Sequence, residues 1–207
     1  PRASGTDSAP SQPPARGAGE TAAVNPGYTT LQGKQNPFWD NYRLTAQGEV
    51  ADRVNRANNY TLNKLRTNGD IRYQYYYLPA QTPLNGNIYF GYNFGENLPN
   101  GNPYKSANSS AVAGNGLVRT ASDAQWILTS VESLFLQAEA AQRNYISGNA
   151  KALFEAAVRE SFAFLHVTNA ATEADNFIAS GNSLVNWDAA ANKIQLIITQ
   201  KYFSTVG

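Results

Sequence analysis

The sequence predicts a mainly α fold, in which antiparallel helix pairs frame a long irregular region holding at most short strands. Three observations carry this. Two adjoining runs, 130–146 and 149–165, repeat apolar residues at helical spacing. The text from 61 to 120 is crowded with Asn, Gly and Tyr, which interrupt any long period. Strand-like alternation is confined to one short run, "DIRYQYYYLP" at 70–79.

Taken in order, residues 1–24 are Pro, Ala, Gly and Ser with hardly any large apolar side chain. Such a segment cannot bury enough surface to offset its ordering entropy, so it reads as a disordered tail or linker before a domain over 25–207. Asn36-Pro37 favours a turn, which presents Phe38, Trp39 and Tyr42 from a loop or short helix. In the alternating run, Tyr73, Tyr75 and Tyr77 would share one strand face, with Gln74 and Tyr76 on the other. Asn85-Gly86 has the chemistry of a type I′ hairpin turn. The Ser/Asn/Gly text between the Asn-Gly pairs at 100–101 and 115–116 reads as a functional or disordered loop.

From there the chain reads as helical. Val131, Leu134, Phe135, Ala138, Ala141 and Tyr145 form the stripe of a helix over 123–146. Gly148 can end it in the left-handed conformation, and Asn149 can cap a second helix over 149–166. That helix carries Leu153, Phe154, Ala157, Val158, Phe162 and Leu165 on one face. Glu139→Arg143 and Glu155→Arg159 are i,i+4 pairs on the outer faces. The short connection makes the helices antiparallel, with Leu134, Ala138, Leu153, Ala157 and Phe162 expected among the most buried residues. The unit is of tetratricopeptide type, with alanines where the helices cross. Further helices are expected at 172–180 and, capped by Asp188, at 188–204.

The chemistry usually expected of an active site is sparse. Of 207 residues 15% are charged and the net charge is +1, which gives no field for nucleic acid or a membrane surface. Zero cysteines remove thiolate catalysis and zinc–thiolate sites, and no metal-ligand spacing or phosphate-binding glycine loop appears. Glu132 and Glu139 share a helix face about 10 Å apart along the axis, beyond the spacing of a glycosidase pair. Asp70 and Glu96 lie in the aromatic region with nothing to bring them together. His166 is the only histidine and stands without a nucleophile motif. No enzyme, cofactor or metal is expected. Binding fits better, because aromatic faces stack on sugar rings while amides bond their hydroxyls. Trp39, Tyr42, Tyr75, Tyr89 and Tyr92 are the candidate ligand contacts, placed near an exposed rim by turn chemistry or strand alternation. Aromatics and amides serve a peptide as well as a glycan, and a helical-repeat scaffold for a protein partner is the other reading. No local Lys/Arg cluster argues for a polyanionic ligand.

Several stretches, in order, resemble the SusD/RagB family of nutrient-binding outer-membrane lipoproteins. They are Asn36-Pro37 with its aromatics; Asp70-Ile71-Arg72 followed by Tyr73; Phe135-Leu136-Gln137-Ala138-Glu139-Ala140; Gly148-Asn149-Ala150 with Ala157-Val158 and Ser161; and Gln200-Lys201-Tyr202-Phe203. The resemblance covers roughly 25–207 and implies the C-terminal half of a longer protein. It implies a non-catalytic cell-surface protein of a Gram-negative bacterium that captures an extended nutrient, a glycan first. The implied partner is a SusC-type TonB-dependent barrel transporter, with membrane contact through a lipid anchor outside this sequence.

Overall fold

The structure, a computed structural model, describes residues 19–96 and 102–206. A short strand β1 (Ala22–Val24) is followed by helices α1 (Pro37–Tyr42), α2 (Asn59–Thr67) and α3 (Tyr73–Tyr76). A long irregular stretch leads to strand β2 (Gln125–Leu128), then α4 (Ser130–Gln142), α5 (Ala150–Phe164), α6 (Ala170–Ala179) and α7 (Lys193–Ser204).

Side chains at the helix starts explain most of the boundaries. Thr129 accepts from the Glu132 amide at 3.1 Å, Asn149 from Ala152 at 3.1 Å and Asn192 from Gln195 at 3.0 Å. Each satisfies a first-turn N–H that has no partner within its helix. In α4, Val131, Leu134, Phe135 and Ala138 are buried, and Phe154, Ala157, Val158 and Phe162 of α5 meet them. Ala138 and Ala157 are both 0% exposed, so the two helices approach closely where the side chains are smallest. Helix α7 packs on α4, and α6 on α5. The expected outer-face pairs are present, Glu139–Arg143 at 2.8 Å and Glu155–Arg159 at 3.5 Å.

Several expectations are corrected. The first long helix starts at Ser130, because residues 125–128 pair as β2 with β1. That pairing also places Ala22–Val24 of the expected tail in a sheet, and Thr21 Oγ1 accepts from the Ser130 amide at 3.1 Å. The rest of the tail reading, residues 1–18, lies outside the described residues. Asn144 (φ +61°), rather than Gly148, makes the left-handed turn after α4. The last helix is capped by Asn192, not Asp188, whose carboxylate instead meets Lys151 at 2.6 Å. Leu153 is half-buried against the core rather than among its deepest members.

The alternating tyrosine run is helical rather than a strand. Its cause lies one residue upstream, in a fully buried Arg72. Arg72 Nε and Nη2 donate to Asp70, and Nη1 donates to Ser161 Oγ at 2.6 Å and Ser204 Oγ at 2.7 Å. Nη2 also reaches Gln200 Oε1 at 2.9 Å, and the guanidinium faces the rings of Phe162 and Phe177 at 5.0 and 5.7 Å. Burial alone would lower the Arg72 pKa, but the charge and hydrogen bonds of Asp70 outweigh it and leave the value raised. This hub ties the start of α3 to α5, α6 and α7. Local alternation cannot compete with it.

Candidate functional site

The sequence "NPFWDNY" is folded into α1 by its own first residues. Asn36 is 2% exposed, and its Oδ1 accepts from the Phe38 and Trp39 amides at 2.8 and 3.1 Å. Its Nδ2 donates to the Asp123 carbonyl at 3.0 Å, and its backbone N–H to Ala121, pinning the helix start to the segment before β2. Pro37 occupies the first turn, where its missing N–H costs nothing. From this anchored start, Trp39 lies with the Arg43 guanidinium 5.8 Å from its ring centre, and Tyr42 packs on Phe38 at 5.0 Å.

Tyr42 lines two cavities. One, about 480 Å³, is mainly apolar and includes Phe38, Tyr76, Tyr77, Val112 and Leu117. Burial pushes the Tyr77 hydroxyl up to about 12, so it stays protonated there. The other, about 400 Å³, has a mixed lining and gathers Arg43, Asp52, Arg53, Arg56 and Gln81 beside Leu44, Val50 and Leu78. An antiparallel bridge between Leu44 and Val50 folds the chain back so that residues 43 and 52–56 face one space. Desolvation pulls the Arg43 pKa down, while Asp52 is held below its ordinary value: burial pushes it up, and bonds from the Asn55 and Val54 amides outweigh this.

The other candidate rings fall into two further groups. Tyr89 meets Tyr73 edge-on at 5.0 Å, and burial beside Tyr73 and Tyr75 raises its pKa. Tyr75 accepts from the Thr168 amide at 3.0 Å and lies against Gly116. Tyr92 packs edge-on to Phe90 at 5.4 Å, and Phe90 stacks on Tyr104 at 3.8 Å. Glycines let this irregular chain press onto the core. A Cβ on Gly91 would lie 2.5 Å from the Ala57 carbonyl oxygen, and one on Gly114 would lie 2.3 Å from that of Tyr75. The five candidates are therefore distributed: Trp39 and Tyr42 on one helix, Tyr75 and Tyr89 near Tyr73, and Tyr92 with Phe90.

The acids considered for catalysis are each engaged in structure. Asp70 is spent on Arg72, Glu96 accepts from the Asn93 amide and side chain, Glu139 pairs with Arg143, and Glu132 lies 3.7 Å from Lys201. His166 takes a left-handed backbone (φ +53°) just after α5 and donates its N–H to Ala163. Among the described residues no group of three or more His, Asp or Glu could hold a metal ion.

A family profile, SusD-like_2, described as "Starch-binding associating with outer membrane", matches residues 21–205. The chain belongs to this SusD-like family. The match takes in β1, in keeping with its pairing to β2. Solved structures share the fold: a SusD homologue from Bacteroides ovatus (20% identity, TM-score 0.67) is covered over 92% of this chain and 41% of that one. An outer membrane protein of Bacteroides vulgatus, described in terms of nutrient binding, matches at 18% identity and TM-score 0.64, over 94% of this chain and 44% of that one. A chitin-binding protein matches at 20% identity and TM-score 0.55, over 73% of this chain and 34% of that one. The SusD-like chain spans less than half the length of these structures. No curated protein matches it.

Sequence reasoning missed the arginine-lined cavity of this SusD-like chain. A signal was present: Arg43, Arg53 and Arg56 fall close together in a chain that is only 15% charged. Helix α2 was also missed, although Asn58, which accepts from the Tyr60 amide at 2.8 Å, is a good capping residue before it.

Proposed function

We propose that this chain is the capture part of a non-catalytic cell-surface protein, which binds an extended glycan and hands it to a TonB-dependent outer-membrane transporter. The observation that carries the reading is α1, whose anchored start holds Tyr42 at the wall of two cavities and Trp39 on the same helix. A pre-positioned ring loses little freedom on stacking against a sugar, and no proton transfer is required of it. The family description and the chitin-binding relative support a glycan, and the outer-membrane descriptions support the location. Tyr89 and Tyr92 would extend the contact along the irregular region. Tyr75, anchored through its hydroxyl, would brace Tyr89. Lipid anchoring and the SusC-type partner follow from the family reading.

The test is affinity and turnover on the same variants of the full-length protein. Loss of a stacked ring removes roughly 0.5–1.5 kcal/mol beyond its area term, so Trp39→Ala or Tyr42→Ala should weaken oligosaccharide binding several-fold. No product should form on prolonged incubation. A protein that binds no soluble oligosaccharide, and whose aromatic variants instead lose a protein partner in pull-down, would be a scaffold.

A further inference from the structure

Resting on the glycan reading, we propose that the cavity between α2 and α7 is a second subsite, which takes an uncharged sugar residue independently of α1. The cavity is about 620 Å³ and shares no lining residue with the two that Tyr42 lines. Three of its walls are aromatic: Tyr60 from the first turn of α2, Tyr202 from α7, and Phe94 from the irregular region. These rings are 59%, 49% and 97% exposed, in a chain whose other large aromatics mostly pack on one another or on the core. Tyr60 and Tyr202 lie 6.5 Å apart at 56°, so neither ring is stacked flat on the other. The Tyr202 hydroxyl is hydrogen-bonded with Thr61 Oγ1 at 3.0 Å, which fixes its ring before any ligand arrives.

The rest of the lining is built from the same few turns. Tyr60, Asn63, Lys64 and Thr67 recur at helical spacing and share one face of α2. Asn93 and Phe94 are brought to that face by backbone pairing: the Asn59 amide donates to the Tyr92 carbonyl at 2.8 Å, and the Tyr92 amide to the Ala57 carbonyl at 2.9 Å. Four side-chain amides line the space, Asn58, Asn59, Asn63 and Asn93, and none of the four residues is buried. Their existing bonds leave a mixed set. Asn58 Oδ1 accepts from the Tyr60 amide and Asn63 Oδ1 from Arg66 Nη2, so both Nδ2 donors lack a partner among the described residues. Asn93 is engaged the other way round: its Nδ2 donates to Glu96 at 3.0 Å, which leaves Oδ1 as an acceptor. Asn59 keeps both atoms of its amide.

That combination selects a ligand. A sugar hydroxyl both donates and accepts, and here it meets amide donors and amide acceptors beside rings on which its C–H face can lie. No carboxylate lines the cavity, and Lys64 is its one cation, an exposed ammonium that can donate to a hydroxyl as well as to an anion. An extended peptide would need free backbone along an edge. The backbone here is already used: Ala57 donates to Ser110, Asn59 to Tyr92, Tyr92 to Ala57, and the Asn93 amide to Glu96. Side-chain amides and ring faces are what remains.

The test is calorimetric titration of the full-length protein with maltotriose, triacetylchitotriose, trigalacturonate and tetra-alanine. Each parent chain should bind two neutral trisaccharides. Tyr60→Ala and Phe94→Ala, whose exposed rings can be removed without disturbing the fold, should weaken one of them roughly threefold to tenfold and leave the other unchanged. Tyr42→Ala should do the reverse. One trisaccharide per chain, weakened by Tyr42→Ala but by neither of the other two variants, overturns this subsite and leaves capture at α1 intact. One trisaccharide weakened only by Tyr60→Ala and Phe94→Ala keeps this subsite and overturns capture at α1. If no trisaccharide binds, both readings fall. Tighter binding of trigalacturonate that is lost in Lys64→Gln, or of tetra-alanine that is lost in Tyr60→Ala, overturns the uncharged sugar as the occupant.

Discussion

The α4–α5 pair and the irregular region over residues 70–96 and 102–117 are stabilised in opposite ways. The helix pair is held by apolar burial at regular spacing, with alanines at the crossing and its backbone polar groups satisfied largely inside each helix. The irregular region has little periodic burial. It is held by a buried guanidinium with its carboxylate and hydroxyls, by glycines pressed onto backbone, and by turn bonds from Asn and Ser side chains. The difference teaches where tolerance lies. A helix pair accepts most changes that keep shape, whereas a region built on polar satisfaction fails when one partner is removed.

The largest expected effect tests that statement directly. Arg72→Met leaves Asp70 buried without its partner, which should cost on the order of 3–5 kcal/mol in urea unfolding. A cost below that of the helix-pair variants would collapse the comparison. Next, Ala138→Leu or Ala157→Leu overpacks the crossing and should cost about 1–3 kcal/mol in the same assay. An unchanged melting temperature would mean that the helices do not meet there. Asn36→Ala removes the cap of α1 and its tie to the Asp123 carbonyl; a loss of roughly 1–2 kcal/mol is expected, with oligosaccharide affinity falling alongside stability. The smallest effect is on the outer surface: Glu139→Ala breaks an exposed i,i+4 pair and should shift stability by about 0.3–0.5 kcal/mol, less at high salt.

What could be read in advance follows the same division. The stripe from Val131 to Ala141 and the one from Phe154 to Leu165 are local and periodic, so sequence alone located them. The start of α4 was also legible but passed over: Thr129 three residues before Glu132 marks a helix start, and the apolar Trp126-Ile127-Leu128 before it is strand β2. The tyrosines at 73–77 were misread because their alternation is real but subordinate. Burying Arg72 under α5 and α7 decides the backbone there, and its partners Ser161, Gln200 and Ser204 are remote in sequence. The aromatic candidates could be named as residue types, yet their grouping depends on loop contacts without period. The arginine cavity needed the fold-back at Leu44 and Val50.

The hub around Arg72 also bears on how the chain reaches this structure. Its bond to Ser204 spans 132 residues, and its bond to Gln200 spans 128. Until α7 docks, the guanidinium and the Asp70 carboxylate must either stay in water or be buried half-satisfied, and the second is strongly unfavourable. The aromatic region is therefore expected to consolidate late, after the helix pair has formed from local contacts, because closing so long a loop is entropically slow. Arrival of the α7 helix then acts as an assembly checkpoint, and chains in which it is missing or damaged should expose their tyrosine-rich segment to proteases.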